Sequence, residues 1–99
     1  MDIMKRKITA VDISKEAQSI MSQRGKSYGD ANELYENFAM RINLVLQKKL
    51  KAKVLPSEAA RIMQEGKSAR WDTGGYKRDH SIDGGNYYFI AGALHENEG

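Results

Sequence analysis

Apolar positions along this chain recur at helical spacing. Ile13, Ala17, Ile20 and Met21 stand at offsets of four, seven and eight from the first, which places them on one helix face. Gly25 is placed to stop that helix, so the pattern predicts a first element from about Asp12 to Arg24. Leu34, Tyr35, Phe38, Ala39, Ile42, Val45, Leu46 and Leu50 then form one continuous stripe. Asp30 can cap this second helix, with Glu33 three residues on completing a pair like a capping box. The second helix is expected to run to about Lys51. Lys48, Lys49 and Lys51 there would complement the negative pole of its dipole. A binding patch is the other reading of those lysines, because no acidic residue occurs between Glu36 and Glu58.

Pro56, the only proline, suits the first turn of a third helix, with Ser57 and Glu58 beside it at the positive pole. That helix should run to about Trp71, where Asp72-Thr73-Gly74-Gly75 breaks the pattern. Asp79, Ile82, Asp83, Asn86, Tyr87, Ile90, Ala91 and Leu94 return to helical spacing in a fourth. Strand alternation, internal repeats and low-complexity tracts are absent from the pattern. The expected fold is all-α: one small four-helix bundle-like domain over residues 1–99, with residues 1–10 free to be flexible and the core completed by homo-oligomerisation.

Composition narrows the function classes. Ninety-nine residues hold one modest core, and 16 basic against 13 acidic residues leave a net charge of only +3. Neither general nor sequence-specific nucleic-acid binding is implied. The chain has no cysteine, which removes disulfide frameworks, thiolate metal sites and a cysteine nucleophile, and makes the cytoplasm the expected compartment. Uncharged runs fall well short of the ~18 residues of a membrane span, so no membrane partner is expected.

Polar residues interrupt the fourth helix. Asp79, Asp83 and Asn86 share a stripe with Ile82, Ile90 and Leu94, which points carboxylates inward. A buried carboxylate must pair, bind a cation or change protonation state. On the third helix, Met63, Lys67 and Arg70 follow one line beside Ala59, Ile62, Gly66 and Ala69. An antiparallel hairpin across the glycine turn would bring Lys67 and Arg70 near Asp79 and Asp83. Such a cluster either orders the turn as an internal ion-pair network or serves a ligand. Gly84-Gly85 would permit close approach of a ligand or a backbone, at a cost of about 1 kcal/mol each against alanine; close helix packing is the competing account.

Arg24-Gly25-Lys26-Ser27-Tyr28-Gly29-Asp30 is a second constellation, a glycine-bounded cationic loop entering a helix N-terminus. It can hold phosphate, although its glycine spacing is not that of a Walker loop and Asp30 as a cap would compete with an anion. A plain interhelix turn is the alternative. His80 and His95 are too far apart to form a metal pair and are expected at the surface. Trp71, Tyr76, Tyr87 and Tyr88 gather around the last turn, where packing is the default and base stacking the alternative.

Arg24 to Asp30, Glu36-Asn37-Phe38, Lys67-Ser68-Ala69-Arg70 and Lys77-Arg78-Asp79-His80-Ser81-Ile82-Asp83 followed by Tyr87 together resemble a small helical domain family common in bacteriophages. That family is in turn similar to the MazG-like all-α nucleotide pyrophosphohydrolases, in which carboxylates on paired helices hold Mg²⁺ over a nucleotide triphosphate. The resemblance implies metal binding by Asp79 and Asp83 with Glu36, and phosphate binding by Lys67 and Arg70. The chain departs from the hydrolase pattern in lacking a clear inward-facing E-x-x-E pair on the second helix. The expected function is binding of a phosphorylated nucleotide in the host cell cytoplasm, which would sequester a signal. Arg24, Lys26, Lys67 and Arg70 would neutralise phosphate, and Tyr28 or Trp71 would stack on the base. The alternatives are a Mg²⁺-dependent pyrophosphohydrolase and a non-enzymatic inhibitor that docks on a host protein.

Overall fold

The structure, a computed structural model, describes residues 7–27 and 31–98, the side chains of 25–27 and 31 excepted. Four helices follow one another: α1 (Ala10–Ser27), α2 (Ala31–Leu46), α3 (Pro56–Gly74) and α4 (Arg78–Asn97). No strand occurs among the described residues. The α3–α4 hairpin forms the centre; α2 packs against α3 and α1 against α4.

Local chemistry sets the ends of these helices. Thr9 and Asp12 cap α1 reciprocally: the Thr9 N–H donates to Asp12 Oδ2 at 2.9 Å, and the Asp12 N–H donates to Thr9 Oγ1 at 3.2 Å. This Thr-x-x-Asp box starts the helix at Ala10, two residues ahead of the apolar pattern. The expected cap of α2, Asp30, lies outside the described residues. At its other end α2 stops at Leu46 and does not reach Lys51. Asn43 causes the early stop by offering the chain another partner. Its side chain accepts from the Val54 N–H at 2.6 Å and donates to the Val54 C=O at 3.0 Å, which pulls the connection back along the helix. Lys48 and Lys49 therefore sit in a turn, and Lys51 in the link beyond it.

α3 begins with Pro56, and Glu58 reaches back to accept from the Leu55 N–H at 2.9 Å. The Ser57 N–H and hydroxyl both donate to the Glu98 carboxylate, at 3.0 and 2.6 Å, so a residue just past α4 holds the first turn of α3. The helix outlasts its expected end at Trp71 because Gly74 stays helical. The stop is Gly75, which adopts φ 87° and donates its N–H to the Trp71 C=O. His80, expected at the surface, is instead buried, with Nδ1 accepting from the Lys77 N–H at 3.4 Å at the start of α4.

The core is built largely from small residues. Tyr35, Ala39, Ala59, Ala60, Ala91 and Leu94 form it, and Phe38, Ile42, Val54, Tyr87 and Ile90 pack around them. Alanines at the α3–α4 and α2–α3 contacts let the helices approach closely but leave little volume to bury. The apolar stripe on α2 is wider than one neighbour can cover. Tyr35 and Ala39 are buried, whereas Leu34 and Val45 of the same stripe face outward with Met40 and Leu44. No described helix is long and apolar enough to cross a membrane.

Candidate functional site

Where the C-terminal half of α3 meets the N-terminal half of α4, charged side chains from three helices converge. Asp83 is the centre. Its Oδ1 accepts from Arg24 of α1 at 3.1 Å, and its Oδ2 lies 2.9 Å from the Lys67 ammonium of α3. Asp79, one turn earlier, stands 3.5 Å from the same ammonium. Asp83 and Lys67 are sheltered, with side chains 10% and 12% exposed, while Arg24 and Asp79 are half-exposed and form the rim. A second pair, Arg78 with Glu16 at 2.8 Å, fastens the first residue of α4 to α1 nearby.

The electrostatics follow from this geometry. The hydrogen bond to Asp83 holds the Lys67 ammonium above the usual lysine range; burial opposes it, and the charges of Asp83 and Asp79 add to it. Lys67 therefore stays a cation. Tyr35 on α2 also borders the cluster: burial pushes its phenol up to about 12, Tyr87 adds to the rise and Arg24 opposes it. All four helices thus contribute a group to this pole of the bundle. Beneath it, Asn86 donates to the Ala17 C=O at 2.9 Å, and its buried Oδ1 has no hydrogen-bond partner.

A cleft of about 270 Å³ adjoins the cluster on the outer side of the α3–α4 seam. Gln64, Lys67, Ser68 and Trp71 line it from α3, and His80, Ser81, Gly84, Gly85 and Tyr88 from α4. Trp71 and Tyr88 are exposed, and Trp71 meets Tyr76 at a ring separation of 4.6 Å in a tilted pair. The two glycines owe nothing to tight packing. A Cβ at Gly84 would meet Lys67 Cβ at an ordinary 3.8 Å, and one at Gly85 would meet nothing within 4 Å.

Residues 3–95 match the family described as Domain of unknown function (DUF6378). The chain belongs to this family. Neither a curated protein nor a solved structure matches it. Within the DUF6378 domain, the residues singled out by sequence fall into three groups. Arg24, Lys67, Asp79 and Asp83 come together. Trp71 lines the cleft beside them. Arg70 and Glu36 are exposed and outside the ion pairs: Arg70 lies three residues beyond Lys67, which rotates it about 60° around α3 away from the aspartates. Tyr28 lies outside the described residues, as does the side chain of Lys26.

Arg24 therefore takes the place expected for Arg70 beside Asp83. The sequence carried a sign of it, since Arg24 stands seven residues after the buried Ala17 and so shares its helix face. Asp79 and Asp83 were expected to point inward together, but Asp79, only the second residue of α4, remains at the rim. Among the described residues no three His, Cys, Asp or Glu side chains group closely enough to hold a metal ion. Glu36 thus does not join the two aspartates.

Proposed function

We propose that this domain binds a small phosphorylated nucleotide at the charged pole, with the base on Trp71 in the adjoining cleft. The observation that supports it is the position of Lys67, which borders the aromatic-walled cleft and also anchors the cation–carboxylate cluster. Its ammonium stays protonated in the neutral range and is balanced by Asp83 and Asp79, so the arginines supply the excess positive charge that a phosphate needs. Half-exposed Arg24 can turn from Asp83 toward a phosphate, and exposed Arg70 supplies a further guanidinium on the same helix as Trp71. A cleft of about 270 Å³ lies just under the range of about 300 to 1,000 Å³ for small-molecule pockets. It suits a base or a nucleoside, with the phosphates left outside on the arginines.

The resemblance to bacteriophage domains, and through them to MazG-like pyrophosphohydrolases, supports the same ligand class and a role in the host cytoplasm as a sink for a signalling nucleotide. Binding without hydrolysis is the version favoured, because both aspartates are engaged by Lys67 and Glu36 stands apart from them. Mg²⁺-dependent hydrolysis is the second reading.

A nucleotide panel that includes cyclic dinucleotides, followed by thermal shift and product analysis, tests the proposal. The expected result is a stabilising shift with a subset of nucleotides, unchanged by EDTA and lost in Trp71→Ala and Arg70→Ala, two exposed positions whose replacement leaves the core intact. Turnover that requires Mg²⁺ and disappears in Asp79→Asn would establish the hydrolase reading. Silence across the whole panel would overturn both and leave docking on a host protein.

A further inference from the structure

On the outward side of α2, four large apolar side chains flanking Asn37 and Arg41 are left uncovered by the described residues. Leu34, Met40, Leu44 and Val45 are between 54% and 79% exposed, on a helix whose opposite side is seated in the core. Such a face on one sixteen-residue helix exceeds the scatter of single apolar residues normal at a surface. Tyr35, Ile82 and Leu94 are the large apolar side chains buried within the described chain, and alanines make up the rest of its core, so the core is small.

We propose that this face receives a second copy of the chain, with α2 packed antiparallel on the partner's α2 about a two-fold axis between Met40 and Leu44. The charges along the helix select that direction. Glu33 and Glu36 lie in its first half, and Lys48, Lys49, Lys51 and Lys53 follow its end with no acidic residue among them. Parallel pairing would set acid on acid and lysine on lysine. Antiparallel pairing brings Glu33 opposite the turn that carries the partner's Lys48 and Lys49, since Glu33 stands about 12 Å of helix rise before Arg41 and that turn follows the helix end a comparable number of residues after it. The symmetry repeats that contact, as an isologous interface requires.

Two further features fit this occupant. Arg41, closest to the axis, would face its own copy, but its Nε donates to Asn37 Oδ1 at 3.1 Å, which draws the guanidinium along the helix toward the acidic end. A hollow of about 610 Å³ beside the face, bordered by Met40, Leu44 and Leu50, offers room for an apolar side chain of the partner such as Leu34. The inference is independent of the nucleotide reading, because the charged pole lies on other helix faces.

Sedimentation velocity across a concentration series, with circular dichroism to verify folding, tests it. Wild-type chain should sediment as a dimer. Leu44→Asp and Val45→Asp, both at exposed positions that leave the core intact, should retain helicity and weaken association at least about tenfold. Glu33→Lys alone should also weaken it, and Glu33→Lys with Lys48→Glu in the same chain should restore it. A monomer at every concentration would overturn the proposal. So would a dimer indifferent to the α2 variants but lost in Tyr88→Asp, which would place the second copy on the α3–α4 face.

Discussion

The two ends of the α3–α4 hairpin are held together by different physics. At the glycine-turn end, cohesion comes from formal charges: Asp83 joins α4 to α1 through Arg24 and to α3 through Lys67, with Asp79 and the Arg78–Glu16 pair around them. At the other end, alanines bring the helices together, and single polar side chains tie down backbone, Asn43 on Val54 and Glu98 on the first turn of α3. The apolar end needs only shape and a few hydrogen bonds. The charged end depends on its sheltered Lys67–Asp83 pair staying intact, because an ion pair taken out of water gains little net stability while intact but is costly to break. Because such a cluster adds little net stability to a chain with so small a core, we propose ligand binding there.

Breaking the charged end by one atom group should produce the largest effect. Asp83→Ala leaves the sheltered Lys67 ammonium with only half-exposed Asp79 for company, and should cost about 3 to 5 kcal/mol in urea unfolding. Asp79→Ala, at the rim, should cost no more than about 1 kcal/mol. Replacing both members, Lys67→Met with Asp83→Leu, should recover most of the loss. If Asp83→Ala and Asp79→Ala proved equally mild, the contrast between the two ends would collapse.

Opposite pH dependences sharpen the contrast. At the charged end the protonated forms of Tyr35 and Lys67 are favoured by folding. Their contribution is complete below pH 10 and drains as pH rises, for Tyr35 between 10 and about 12. Tyr35→Phe should flatten the alkaline fall in melting temperature. At the other end the Ser57 hydroxyl and N–H hold the Glu98 carboxyl below the usual range, so its contribution is present above about pH 4.5 and is lost as pH falls through the lowered value. Glu98→Gln should cost about 1 kcal/mol at neutral pH, typical of a lost helix cap, and should remove this part of the acid dependence.

Much of this was legible in the sequence, and the misses share a cause. Helical periodicity located four helices, and the inward turn of Asp83 on α4 foretold a cation, which Lys67 supplied. Contacts distant in sequence were harder to read. Arg24 reaches Asp83 across 59 residues and Glu98 reaches Ser57 across 41; local spacing puts Arg24 on the inward face of α1 but names the partner of neither. The early end of α2 was hidden because one amide, Asn43, outweighed the helix-forming lysines after it. His80 was hidden because a histidine acting as a backbone acceptor leaves no mark in a hydrophobic pattern. The stripe on α2 was legible as apolar, but a sequence does not say how much of such a face the chain has helices to cover.

The smallest expected effect bears most directly on which end carries function. Gly85 sits in mid-helix with nothing within 4 Å of where a Cβ would stand, and Gly84 would gain only ordinary contacts. Neither close packing nor backbone conformation requires glycine there, since the only glycine with positive φ among the described residues is Gly75. Gly85→Ala should therefore stabilise the domain by up to about 1 kcal/mol through helix propensity, raising the melting temperature by a few degrees. Because Gly85 lines the cleft, the added methyl group narrows the room beside Trp71. A variant that is more stable yet responds less to the nucleotide that shifts the wild type would show that the glycine is kept for the cleft. One that is more stable and binds equally well would leave Gly85 without a role in the ligand site and weaken the assignment of the cleft to the base.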